Sequence, residues 1–109
     1  MNTYEPLRVA EEAVTARPGH PATAVLGDAP DARLVVFRIE PGQAIAPHSS
    51  TSSVILSIME GSGLVSGAEG EGSVHAGNVV AFAPNETHGM RALSHRFVVL
   101  AIITPRPDA

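Results

Sequence analysis

The chain is interrupted at short, regular intervals by turn-forming residues, and no stretch between the interruptions has the length or the period of a substantial helix. Asp28-Ala29-Pro30-Asp31, Pro41-Gly42, Gly61-Ser62-Gly63, Gly67–Gly72, Ala76-Gly77-Asn78 and Pro84-Asn85-Glu86 carry the Gly, Pro, Asn and Asp that tight turns use. The segments between them are β-branched: Val and Ile supply 18 of the 109 residues. Such side chains are stiff at χ1 and suit a pleated, half-buried surface. The pattern predicts strands over Ala22–Leu26, Arg33–Glu40, Gln43–His48, Val54–Glu60, Leu64–Ser66, Ser73–His75, Val79–Phe82, Thr87–Leu93 and Arg96–Ile103. Short strands recurring about every 8–12 residues imply an all-β sandwich or barrel.

Composition narrows the function classes. With 44% apolar and 17% charged residues, the chain is too apolar for disorder. All seven basic residues are Arg and they are scattered, so there is no basic stripe for nucleic acid. Cysteine is absent, which removes disulfides and thiolate metal sites. Met1 to Arg8 lacks the apolar core of a secretion signal, and the longest apolar run, Phe97 to Ile103, is far short of a membrane span. The expectation is a cytoplasmic protein with no nucleic-acid or membrane partner. Residues 1–21 show no clear period, and 6–16 suit either a short helical turn or an edge strand. The expected organisation is an N-terminal segment (1–21), one barrel domain (22–104) and a tail (105–109).

Two strands, 54–60 and 97–103, are apolar at consecutive positions rather than alternating. Such strands need cover on both faces. One face fills the barrel. The other predicts a homodimer or, alternatively, an N-terminal segment folded over it.

Two stretches resemble the paired motifs of the cupin superfamily. The first motif reads G-x5-H-x-H-x3,4-E-x6-G. Gly42 and His48 match its opening Gly and first His, and Val54–Glu60 followed by Gly61 matches its strand and closing turn. The second reads G-x5-P-x-G-x2-H-x3-N. Gly77-Asn78-Val79-Val80-Ala81-Phe82 matches its opening, and His88 falls where its His belongs. Pro84 sits one place late and Asn85 stands for the turn Gly. The resemblance spans residues 22–104 and implies a small, single-domain, RmlC-like cupin: a double-stranded β-helix, or jelly-roll-like barrel.

The departures concern the metal ligands. Ser50 occupies the place of the second His, Val54 that of the Glu, and Ala92 that of the final Asn. Of the family's three-His, one-Glu set only His48 and His88 remain. Two imidazoles without a carboxylate make a weak site for Zn, Fe, Mn or Ni, to be completed by solvent. The pair is open to three readings: buried relics of a lost site, holders of a weakly bound divalent metal, or a metal-free pair in which one ring acts as general base. His75 is expected to point outward, His95 to lie in a solvated turn, and His20 in a loop without a fixed place.

The hydroxyl run Ser49–Ser53 is expected at the barrel mouth, with Ser50, Val54, Leu56, Phe82 and Met90 lining a mostly apolar pocket beside the two His. A pocket of that make-up suits a small-molecule ligand. The first function expected is therefore a binding module. The alternative is a metal-dependent cupin enzyme, such as a dioxygenase, isomerase or decarboxylase, using His48 and His88. A purely structural dimeric module is the third.

Overall fold

The computed structural model describes residues 1–107; Asp108 and Ala109, the end of the expected tail, lie outside the described residues. A helix, α1 (Pro6–Glu12), precedes the strands β1 (Ala22–Ala29), β2 (Ala32–Ile39), β3 (Ala44–His48), β4 (Ser53–Glu60), β5 (Ser62–Gly67), β6 (Gly70–His75), β7 (Val79–Phe82), β8 (His88–Ala92) and β9 (Phe97–Thr104). Each predicted strand forms. The largest boundary differences are at β1 and β6, both of which run further into the turns that Gly, Pro and Asp had suggested. At β1 a bulge between Val25 and Gly27 lets pairing resume, so Asp28 sits opposite Arg33 and only Pro30 and Asp31 turn. The Asp28 carboxylate then accepts from Arg33 Nε at 3.3 Å. At β6, Gly70 adopts φ +127°, which confines the turn to Ala68 and Glu69.

Two antiparallel sheets face each other. The larger has the order β1-β2-β9-β4-β7 and the smaller β3-β8-β5-β6. Non-sequential neighbours in both sheets make this the double-stranded β-helix that the sequence motifs imply. Alternation fills the space between the sheets. Val54, Leu56 and Ile58 of β4 and Phe97, Val99 and Ala101 of β9 point inward and are buried. Gly63 allows the tightest contact: a Cβ there would lie 2.3 Å from the Phe97 ring.

Ile55, Ser57 and Met59 are half-buried and face the opposite way. Part of that outer face is covered by the N-terminal segment, which forms a helix rather than an edge strand. Pro6 occupies its first turn, where a missing N–H costs nothing. Seven residues are too few for a stable helix in isolation, so packing must hold it. Ala10 inserts against the fully buried Val36 and Val98, with Met59 at the margin. Arg38 donates to the carbonyls of Ala10 and Glu11 at the helix end. Arg96 bridges Glu11 of the helix and Glu60 of β4. Leu34, Ile102, Ile55 and Ala81 form a cross-strand row on the same face that is not part of this cluster. No helix among the described residues is long and apolar enough to cross a membrane.

Candidate functional site

The site begins with an irregularity in a strand. Pro47 cannot donate to a ladder, and the pairing of β3 with β8 shifts between Ile45 and His48. Opposite it stands Gly89. A Cβ on Gly89 would approach Pro47 N and the Ile45 carbonyl oxygen to 3.0 Å, so the bare residue lets the bulged strand close in. The shift brings His48 opposite His88. Their ring centroids are 4.4 Å apart with planes inclined at 62°. The two motif histidines are thus neighbours across the sheet.

Each ring is oriented by its own backbone. His48 Nδ1 lies 3.0 Å from the Ala46 carbonyl oxygen, and His88 Nδ1 lies 3.0 Å from that of Glu86. A carbonyl only accepts, so both Nδ1 atoms carry a proton, and in the neutral rings it is Nε2 that keeps the lone pair. His48 is exposed at the rim, whereas His88 is 7% exposed.

Both rings border a cavity of about 350 Å³ at the open end of the barrel. Ser50, Val54, Leu56 and Met90, predicted from the motif frame, lie on its wall. Phe82 does not: it is buried, but stacks on His88 with centroids 5.1 Å apart and fills the closed side beside Gly67. It shares the inward face with its partner Val54, but on the edge strand β7 it packs into the core beside His88 and off the cavity wall. Ile45 and Gly89 complete the smaller-sheet wall, and Phe37, Ala101 and Ile103 the larger. Sequence reading passed over the last three, although their alternation with Ile39, Phe97 and Val99 on the inward face was a usable signal.

The hydroxyl run is divided in its roles. Ser49, Ser50 and Thr51 line the cavity mouth, and Ser50 Oγ accepts from the Ser52 N–H at 3.1 Å. Ser52 is not solvated as a turn residue would be: it is 2% exposed and its Oγ donates to the Pro105 carbonyl at 2.6 Å. That bond holds the chain after β9 against the mouth. The Arg106 N–H donates to the Pro30 carbonyl, and Pro107 joins the cavity wall.

A metal ion fits this donor set poorly. Among the described residues two imidazoles are the only nitrogen ligands on the cavity wall, and Val54 presents hydrocarbon where the motif has its carboxylate. Among the described residues no three His, Asp or Glu side chains come together. His20, His75 and His95 are all exposed and lie off the cavity wall; His75 Nδ1 faces the Ala76 carbonyl, and His95 pairs with Glu40. Among the described residues the cavity wall carries no Arg, Lys, Asp or Glu.

Comparison with known proteins agrees with this architecture. No curated protein matches the sequence. Among solved structures, TT1209 from Thermus thermophilus superposes with a TM-score of 0.85 at 22% identity, over 98% of this chain and 100% of that one. An RmlC-like cupin protein from Desulfovibrio desulfuricans gives 0.81 at 23% identity, over 96% and 97%. KdgF from Halomonas sp. gives 0.80 at 20% identity, over 89% and 90%. At these identities the likeness is one of fold. The family model of the AraC-like ligand binding domain matches residues 33–109, which takes in every strand from β3 onward, the cavity and both histidines. The chain therefore belongs to the AraC-like ligand binding domain family, built on the cupin barrel.

Proposed function

We propose that this protein is a small-molecule-binding domain whose ligand lies in the open end of the barrel against His48 and His88. The observation that carries this reading is the largely apolar cavity of about 350 Å³, without a charged side chain among the described residues. It falls within the size range of ligand pockets. An apolar cavity of roughly 150 Å³ accommodates benzene, so this one has room for a ring with a short substituent. Membership of a ligand-binding family supports the same reading.

Titration of the isotopically labelled protein with toluene, followed by amide NMR shifts, tests it. The expected result is saturable shifts confined to residues around Phe37, Leu56, Met90 and Ala101, lost when Ala101→Phe fills the cavity. Shifts scattered over the surface, or none at saturation, would overturn it.

A second reading rests on the His48–His88 contact: a divalent ion held by two imidazoles and solvent, with the protein acting as an enzyme. It requires bound metal in protein purified without a His tag. Metal-free protein that binds toluene would favour the first reading.

A further inference from the structure

We infer that the cavity selects an uncharged ligand with an apolar body and a hydrogen-bond-donating head, a hydroxyl or N–H, seated against the Nε2 atoms of His48 and His88. The inference rests on the binding reading above and names the chemical class of its ligand. It follows from the polarity that the backbone imposes on the two rings.

Both Nδ1 atoms are committed to carbonyl oxygens, of Ala46 and Glu86. Neither Nε2 has a partner within the described protein, and His88 Nε2 is not fully buried, since no buried side-chain polar atom among the described residues is left without a hydrogen bond, while the His88 ring borders the cavity. The polar end of the pocket therefore offers two Nε2 acceptors when the rings are neutral, on rings whose centroids are 4.4 Å apart and whose planes are inclined at 62°. A carboxylate or phosphate would bring further lone pairs against them. Among the described residues an anion would also find no Arg or Lys on the wall, and a cation no Asp or Glu. Removing either charge from water without a partner is unfavourable. A hydroxyl or amide N–H carries no such penalty and finds an acceptor. The hydroxyls of Ser49, Ser50 and Thr51 do not alter the choice, because each can donate or accept. The rest of the wall, including Leu56, Met90 and Ile103, suits hydrocarbon.

Four probes of similar size separate the possibilities: phenol, toluene, benzoate and benzylamine, titrated near pH 8 by the same NMR shifts. Phenol is expected to bind on the order of tenfold more tightly than toluene, the gain of one to two net hydrogen bonds. Both charged probes are expected to bind more weakly than phenol. His48→Phe, a change at the exposed ring, should bring phenol down toward toluene while toluene binding persists. His88→Phe offers an independent check should the first variant fold poorly. Benzoate or benzylamine binding as tightly as phenol would overturn the inference. So would equal binding of phenol and toluene, although the binding reading would then stand. If none of the four binds, both fall.

Discussion

The Asn85 N–H donates to the Ser50 carbonyl oxygen at 2.7 Å, joining the hydroxyl loop after β3 to the turn that delivers His88. Asn85 does so at φ +69°, in the left-handed region. It stands where the family motif has glycine, and asparagine is among the few other residues that tolerate this conformation. Beyond the β3–β8 pairing, the loops that carry the two halves of the site are therefore joined by a backbone bond whose geometry depends on one residue's φ.

That dependence predicts an asymmetry between two small substitutions. Asn85→Gly should leave stability within about 0.5 kcal/mol of the parent. Asn85→Ala should cost about 1 kcal/mol, because Ala keeps the Cβ but loses the short polar side chain through which Asn tolerates positive φ. Chemical denaturation of the three proteins measures the difference. Equal stability of the Ala and Gly variants would show that the turn relaxes and that the Ser50 bond is not positioned by it.

Metal binding should be weak and recoverable by design. Dialysis against a chelator is expected to strip any divalent ion from the parent protein, which among its described residues has two imidazoles and no carboxylate on the cavity wall. Ser50→His with Val54→Glu would restore the family's missing ligands on a wall where both positions already face the histidine pair. Affinity for Zn or Ni should then rise on the order of a hundredfold or more, since even outer-shell changes alter it by 10–100-fold. A full equivalent of metal persisting in the parent through prolonged chelation would contradict the weak-site reading.

The N-terminal helix should loosen in acid. A hydrogen bond from Arg96, and then its charge, hold the Glu11 carboxyl below the ordinary carboxylate range. Its folded-state pKa is thus lower than its unfolded one. The stabilisation is present above the ordinary carboxylate value and is lost as pH falls through the lowered one. Both groups are solvent-exposed, so the effect should be local. Amide signals of Val9, Ala10 and Glu11 should shift toward coil values at low pH before the barrel strands respond. Glu11→Gln should remove that acid transition at Glu11. A transition unchanged in the Gln variant would assign it to another carboxylate.

The strands were legible because turn residues and β-branched runs report local structure directly. His48 and His88 were legible because each sits at a fixed distance from a glycine of its own motif. What escaped depends on chain-distant placement. Pro107 reaches the cavity because Ser52 donates to Pro105, 53 positions later in the chain. The Arg96–Glu11 bridge joins the first helix to the turn before the last strand. Phe82 has the inward parity of its strand, but parity does not say which inward residues meet the open cavity and which the packed core.

The outer face predicts a homodimer. Leu34, Ile102, Ile55 and Ala81 run across four strands without an intervening charge, and α1 covers only the Val36–Val98 end. A two-fold axis would bury the row against a second copy of itself. Sedimentation velocity at micromolar concentration should show twice the chain mass of 11.3 kDa, and Ile55→Glu should return it to one. A parent protein sedimenting as a single chain would mean that the helix is cover enough.

The most direct test of ligand binding in the barrel is a crystal of the metal-free protein soaked with 4-bromophenol, with anomalous scattering used to locate the bromine. One strong peak is expected among Phe37, Leu56 and Ile103, with the phenol oxygen within hydrogen-bonding distance of Nε2 of His48 or His88. A cavity free of bromine at saturating probe, or bromine bound only outside the barrel, would contradict it.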